Sequence, residues 1–283
     1  MIPTIPSRRS IDWAYRAYVA CFFLFLTIPL FVVALFAFND SLFPSLPWKG
    51  FTLDWFFGSE RPKIGLFHEG KILNSILIST IVATAVSCLT VAFGTTNAFL
   101  FNRYEFRGKE VLYVLVLLPL VIPGIVLGIS ILVFSSNVAN AAWDVAGLDL
   151  QFLRPGLPLV VIGQFSFIVT IATLVISARL KGFDRSLEEA ALNLGATPLV
   201  AVRTITLPYL MPALIGSFAV SFLMSFENFN TTLMLVGSDA PLTITMFDRL
   251  KEGSSPVLNA VSLLVMVGSS ILALIMIAFQ KRG

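Results

Sequence analysis

Six apolar runs constrain this 283-residue chain more than any other feature of its sequence. The hydrocarbon core of a bilayer is about 30 Å thick, so each run is long enough to cross it as an α-helix. The runs lack the period-two alternation of a barrel strand, and backbone groups in hydrocarbon must bond within their own segment. We therefore predict an all-α integral membrane protein with six transmembrane helices. The predicted helices cover about 18–38, 72–101, 111–134, 157–180, 209–236 and 256–279.

The composition agrees with a membrane setting. Hydrophobic residues make up 57% of the chain and charged residues 12%, whereas a soluble domain has about twice that charged fraction. The net charge of +3 is too small to suggest a nucleic-acid partner. With one histidine and two cysteines far apart, Cys21 and Cys88, the chain is expected to hold no metal. Membrane lipid is the predicted surrounding.

The distribution of lysine and arginine predicts the orientation. Twelve lie on the side that holds both termini and seven on the other side. Cytoplasmic loops carry the excess of basic residues, so both termini are expected in the cytoplasm. We accordingly predict a cytoplasmic amino-terminal segment, 1–17, and a single transmembrane domain, 18–283. Within that domain the segment 181–208 should also be cytoplasmic.

Residues 186–208 form a polar, helix-forming stretch between two apolar runs. Ser186 and Glu189 have the spacing of a capping box, which predicts a helix that begins near Ser186. Glu188 joins Glu189 in the first turn, where the helix dipole favours carboxylates. Gly195 is placed to end the helix in a left-handed conformation. Leu207-Pro208 then leads into the next apolar run.

So short a helix needs a partner surface, because nucleation costs more than a few hydrogen bonds return. Ala190, Ala191 and Gly195 are small and would let the backbone of another protein approach closely. The pattern therefore favours a docking helix. An ordinary amphipathic loop helix is the alternative interpretation.

The same stretch resembles a known signature. Its fixed positions match EAA-x3-G-x9-I-x-LP and are Glu189, Ala190, Ala191, Gly195, Ile205, Leu207 and Pro208. This is the EAA motif of the membrane subunits of ABC importers, which lie in the bacterial cytoplasmic (inner) membrane. The resemblance implies the type I importer permease fold, with the motif as a coupling helix that is seated in a cleft of a separate ATPase.

The resemblance also implies partners and roles. We expect a second permease subunit, a non-identical homologue, together with two ATPase subunits and an extracytoplasmic solute-binding protein. ATP and Mg would bind in the ATPase, so this chain should need no cofactor, should have no catalytic residues and should not be an enzyme. The residues expected to couple to the ATPase are Ser186, Glu188, Glu189, Ala190, Ala191, Gly195, Leu207 and Pro208.

The third run carries Pro119, Pro123, Gly124 and Gly128 within eleven residues. Proline removes backbone hydrogen bonds and kinks a helix, while the two glycines let another helix come close. Helix packing alone would explain this pattern. The functional interpretation is a hinge at Pro119, Pro123 and Gly124, similar to the proline-broken third helix of the permease family.

Glu227 is the one charged residue well inside a predicted helix. An acidic residue at mid-helix costs about 2.5–3.5 kcal/mol on insertion, so it should face protein or water. In a continuous helix Glu227, Asn230 and Thr231 would share one face. With Asn228, these residues are predicted to line a solute path. A structural tie to a neighbouring helix is the alternative.

Ser225-Phe226-Glu227, the stretch 239–253 and the apolar run 257–279 that follows resemble the membrane subunits of spermidine/putrescine importers. This resemblance makes a polyamine cation the expected cargo. Importers of iron, phosphonate, opines or amino-acid-like solutes share parts of the pattern and remain open. A secondary transporter that acts without an ATPase would need inverted repeats or several buried ionisable groups, and the sequence shows neither clearly.

Overall fold

The computed structural model describes residues 9–280, and this part of the chain is almost entirely helical. The twelve α-helices of that range are α1 (Arg9–Phe36), α2 (Asp54–Phe57), α3 (Gly70–Arg103), α4 (Lys109–Leu117), α5 (Gly124–Ala146), α6 (Leu157–Lys181), α7 (Ser186–Asn193), α8 (Pro198–Ala201), α9 (Leu207–Phe226), α10 (Asn230–Leu235), α11 (Leu242–Glu252) and α12 (Pro256–Gln280). Short 3₁₀ turns cover Leu66–His68, Leu118–Leu120 and Gln151–Leu153, and a π-helical turn covers Val202–Thr206.

Six helices of the described range are long and apolar enough to cross a membrane, which confirms the predicted all-α fold with six transmembrane helices. They are Ile11–Phe36, Gly70–Arg103, Gly124–Ala146, Leu157–Lys181, Pro198–Phe226 and Pro256–Met276. The first begins before the predicted position 18, because α1 already includes Arg9–Ala17. Part of the predicted amino-terminal segment is thus helical, and residues 1–8 lie outside the described residues.

The third predicted helix, 111–134, begins close to the start of α4 at Lys109, but it is interrupted and its end is wrong. α4 stops at Leu117, and the membrane-length helix α5 begins only at Gly124 and continues to Ala146. Pro119 and Pro123 account for the break, since neither can donate the backbone hydrogen bond that a continuous helix needs. Gly147 ends α5 in a left-handed conformation, with φ of 64°.

The chain forms two compact units. The first lies within Met1–Gly70 and Leu250–Val267, and the second within Lys71–Arg249 and Gly268–Gly283. In the first, the indole of Trp55 is buried and donates to the carbonyl of Asn39 at 2.8 Å. The hydroxyl of Thr52 accepts from the backbone N–H of Asp54, the first residue of α2, at 3.1 Å. Hydrogen bonding to Asp40 raises the pKa of Lys63, which also contacts Asp54.

The second unit is built around α6. A buried apolar cluster joins α3, α6 and α10 through Ile78, Val82, Val86, Leu159, Val160, Ile168 and Leu235. Gly163 makes this packing possible, because a Cβ there would lie 2.2 Å from Cδ1 of Leu235. A second apolar cluster holds the far end of α6 against α3 and α9, and its members are Ala98, Ile176, Leu180, Phe183 and Leu210.

Candidate functional site

The polar segment, residues 181–208, forms α7, α8 and the π-helical turn in the structure. α7 begins at Ser186 as predicted, but the capping box is wrong. Asp184 supplies the cap instead, since its Oδ1 accepts from the backbone N–H of Ser186 at 2.9 Å. Hydrogen bonds from the backbone and side chain of Ser186 lower the pKa of Asp184. An acidic residue two positions before the helix takes the role that the sequence assigned to Ser186 and Glu189.

The end of α7 agrees with the sequence prediction. Gly195 has a φ of +90°, and the N–H groups of Gly195 and Ala196 bond to the carbonyls of Leu192 and Ala191 at 3.0 Å each. This pair of bonds is a Schellman motif, which satisfies the last carbonyls of a helix and favours glycine at its left-handed position. No atom lies within 4 Å of a Cβ built on Gly195. The conformation, rather than a clash within this chain, therefore calls for glycine.

Most of the polar segment is exposed, and many of its exposed side chains are apolar. Glu189, Ala190 and Gly195 are exposed, and Ala191 is half-buried. Sequence reasoning missed the apolar side chains around them: Leu187, Leu192, Leu194 and Leu199 are all exposed, Leu194 to 89%. Clustered apolar side chains on a polar segment are typical of a protein interaction surface. We call this set of residues the outer face of α7.

Glu188 points the other way. Its carboxylate accepts two hydrogen bonds from the guanidinium of Arg103, Nη1 to Oε2 at 2.6 Å and Nη2 to Oε1 at 2.9 Å. The hydroxyl of Thr206 also donates to Oε1. Burial by itself would raise the pKa of Glu188, but the hydrogen bonds from Arg103 and Thr206 outweigh it and lower the pKa. Glu188 therefore holds α7 to the body of the second unit.

From Pro198 onward the chain is continuously helical into the fifth transmembrane helix. The side chain of Thr197 caps α8 by accepting from the backbone N–H of Val200 at 3.4 Å. The π-helical turn Val202–Thr206 follows, and Leu207 and Pro208 occupy the first turn of α9. The N–H of Leu207 bonds to the carbonyl of Val202, five residues back, and Pro208, which has no N–H to donate, follows directly on this π-helical turn. Leu207 is half-buried and Pro208 is exposed.

The predicted fifth helix, 209–236, is wrong in being continuous. α9 ends at Phe226, and residues 227–229 are not helical before α10 begins at Asn230. Glu227 therefore lies at a break in the helix rather than at mid-helix. Because the break changes the helical register, Glu227, Asn230 and Thr231 do not share one face. Glu227 and Asn230 are exposed, Asn228 is half-buried and Thr231 is buried.

Side chains stabilise this break, which we call the α9–α10 break. The amide oxygen of Asn228 accepts from the backbone N–H of Thr232 at 3.2 Å and from its hydroxyl at 2.9 Å. The backbone carbonyl of Asn228 accepts from the hydroxyl of Thr243 at 3.0 Å. The buried amide of Gln164 donates to the hydroxyl of Thr232 at 2.8 Å and accepts from Ser225. Sequence reasoning missed Gln164, although a lone glutamine in an apolar run is a signal for such a network.

The predicted hinge residues lie beside this break. A Cβ on Gly124 would be 3.2 Å from Cβ of Asn230, and one on Gly128 would be 3.0 Å from Cβ of Met234. The hydroxyl of Thr231 donates to the carbonyl of Gly124 at 3.3 Å. The close helix approach expected from the two glycines is therefore present, with α10 as the partner of α5. Both helix interruptions, at Leu118–Pro123 and at the α9–α10 break, thus meet at one packed contact.

Comparisons with known proteins agree with this architecture. Residues 90–282 match the family model described as the binding-protein-dependent transport system inner membrane component. The putrescine transport system permease protein PotI of Escherichia coli (strain K12) is 28% identical over 247 residues, which cover 86% of this chain and 82% of that protein. The spermidine/putrescine transport system permease protein PotC of Haemophilus influenzae is 28% identical over 264 residues, covering 93% and 94%.

Among solved structures, a similar chain belongs to a bacterial alginate ABC transporter in complex with an alginate pentasaccharide-bound periplasmic protein. The TM-score is 0.72 at 17% sequence identity, and the match covers 95% of this chain and 93% of that chain. This likeness shows the fold, which is that of an ABC importer permease.

Proposed function

The chain belongs to the family of binding-protein-dependent transport system inner membrane components, and from that premise we propose that it moves polyamine-like cations through the membrane, driven by a separate ATPase. Its place is that of a multi-pass permease subunit of an ABC importer in the inner membrane. The chain supplies part of the solute path and a docking helix, and ATP with Mg is bound and hydrolysed by the partner subunit.

The outer face of α7 is the observation that carries the proposed coupling. It combines exposed small residues, a glycine in a left-handed conformation and exposed leucines on a segment that Glu188 and Arg103 fasten to the core. A partner seated on Glu189, Ala190 and Gly195 can pull on α7 without unfolding it. Ser186 and Pro208 mark the limits of the segment that it would grip. Two ATPases and a second, non-identical permease complete the proposed assembly.

The basic residues support an orientation with the outer face of α7 in the cytoplasm and both termini on the same side. An extracytoplasmic solute-binding protein then delivers cargo to the opposite side. A reporter fused to either end of the chain, in intact cells, tests the orientation. Cytoplasmic signals at both ends are expected, and signals outside the membrane would reverse the assignment.

The polyamine cargo rests on two relatives, the putrescine permease PotI and the spermidine/putrescine permease PotC, and on the chemistry of the α9–α10 break. There the carboxylate of Glu227 and the side chains of Asn228 and Asn230 offer one negative charge and several hydrogen-bonding groups. A cation that leaves water needs counter-charge in a path of low dielectric constant. A bacterial ABC transporter of the same fold is involved in the import of alginate, which is an acidic polysaccharide, so the fold alone does not select a cation.

Uptake by the reconstituted importer tests this cargo. Proteoliposomes that contain the permease pair, the ATPase and the binding protein should accumulate labelled putrescine or spermidine when ATP is supplied. Unlabelled polyamine should compete, whereas sulfate and a neutral amino acid should not. ATP-dependent uptake of another solute, with no competition from polyamines, would keep the importer assignment and refute the polyamine cargo.

A further inference from the structure

Glu188 and Glu189 are neighbours in one helical turn, yet they have different environments. The side chain of Glu188 is 14% exposed and that of its partner Arg103 is 16% exposed. Glu189 is exposed on the outer face of α7. The bidentate pair of Glu188 and Arg103 is fixed in both distance and orientation, because a guanidinium binds a carboxylate through two parallel hydrogen bonds.

Arg103 places the other end of this pair on α3. It occupies the last turn of α3. Its guanidinium carbon lies 5.8 Å from the ring centroid of Phe99 and 5.5 Å from the ring centroid of Phe183. A second contact crosses in the opposite direction, since Nη2 of Arg185 donates to the carbonyl of Asn102 at 2.7 Å. Two side-chain contacts thus hold the polar segment to the end of α3, which lies more than 80 residues away in sequence.

This connection matters because α3 is not joined to α7 along the chain. The chain connects α7 directly to α6 on one side and, through α8 and the π-helical turn, to α9 on the other. A force on α7 therefore reaches α6 and α9 through the backbone, but it reaches α3 only through side-chain contacts. Thr206, which is buried in the π-helical turn, hydrogen bonds to the same carboxylate. Glu188 is the point where α3, α7 and the start of α9 meet.

We propose that Glu188 is a positioning residue that transmits displacement of α7 to α3 and α9, and that it is not part of the surface that binds the ATPase. The proposal rests on the proposed function, because it requires an ATPase that pulls on α7. It assigns separate tasks to adjacent glutamates. Glu189 contacts the partner, and Glu188 makes α7, α3 and the start of α9 move as one body. Loss of the pair leaves the partner bound but lets α7 move without α3.

The test compares Glu188→Gln with Glu189→Arg in the reconstituted importer. Three quantities are measured: ATPase retained per permease on affinity purification, ATP hydrolysed in the presence of the loaded binding protein, and solute taken up per ATP. Glu188→Gln should retain the ATPase and its hydrolysis, while uptake per ATP falls about tenfold, within the usual range of coupling between sites. Glu189→Arg should lose the ATPase itself.

A charge-swap variant, Arg103→Glu with Glu188→Arg, separates transmission from general destabilisation. It should restore uptake per ATP above that of either single variant, because it re-forms an ion pair across the same two helices. Loss of the ATPase in Glu188→Gln without recovery in the swap would place Glu188 in the docking surface and overturn the proposal. Unchanged uptake per ATP in Glu188→Gln would also overturn it. A wild-type chain that retains no ATPase would instead refute the proposed function.

Discussion

At the scale of single residues, position relative to a helix break decides what a polar side chain can do. Glu227 is exposed at a non-helical turn, where its carboxylate can meet water or a solute. Gln164 is buried, and both ends of its amide are hydrogen bonded. Sequence spacing treated Glu227, Asn230 and Thr231 as one helical face, because the side chains of α6 and α11 that help to stabilise the break lie far away in sequence.

Replacing Glu227 by glutamine removes the negative charge and preserves the size of the side chain. The KM for a polyamine should rise about tenfold, because a charge pair that is partly removed from water contributes about 1–4 kcal/mol. Glu110→Gln, at an exposed carboxylate in the first turn of α4, is the matched control and should transport normally. Initial rates of labelled putrescine uptake give the KM of each variant. Wild-type kinetics in Glu227→Gln would remove this residue from the solute path.

At the scale of elements, both functional regions depend on interrupted helices. α7 ends in a Schellman motif that requires a positive φ, and the fifth transmembrane helix is broken between α9 and α10. The carboxyl-terminal end of α7 was readable from sequence because the glycine signal is local, whereas its start was right although Asp184, and not the predicted capping box, supplies the cap. The π-helical turn and the α9–α10 break were not readable, since tertiary hydrogen bonds from Thr206, Gln164 and Thr243 accompany them.

Gly195→Asp adds both a side chain and a charge to the outer face of α7. The variant should insert and fold, with a cost of about 1–2 kcal/mol for the left-handed conformation, and should lose the ATPase. Gly108→Asp is the matched control, because Gly108 has a φ of +85° and equally open surroundings. Gly195→Asn should have a smaller effect on stability, since asparagine tolerates the left-handed conformation. If Gly195→Asp retains a normal amount of ATPase on affinity purification, the outer face of α7 is not the surface that binds the ATPase.

The hydrogen bond between Gln164 and Thr232 stabilises the α9–α10 break and can be measured by a double-mutant cycle. Gln164→Leu and Thr232→Val should each lower the unfolding free energy in detergent, with a coupling of about 0.6–1.7 kcal/mol, the range for side-chain hydrogen bonds in membrane proteins. Thr80→Val, at an exposed threonine that bonds only to its own helix, should be near neutral. Additive effects of the first two substitutions would show that the contact does not stabilise the break.

At the scale of the whole molecule, apolar run length predicted the all-α fold and the number of membrane helices. It did not predict the interruptions of the third and fifth helices or where the third one ends. Hydrophobicity reports on the surroundings of a segment, whereas Pro123 and Asn228 act on the backbone itself. The motif at 186–208 identified the candidate docking segment, but it could not show that Glu188 turns inward. That orientation depends on Arg103, which lies on another helix.

The most direct test of the proposed coupling identifies the partner that contacts the outer face of α7 in the assembled importer. A photo-crosslinking amino acid is placed in turn at Leu187, Ala190 and Leu194, with Leu148 as an exposed control after α5. We expect covalent adducts with the ATPase from Leu187, Ala190 and Leu194 and none from Leu148. Adducts only with lipid, or no adducts from any of these three positions, would contradict the assignment of this segment as the surface that binds the ATPase.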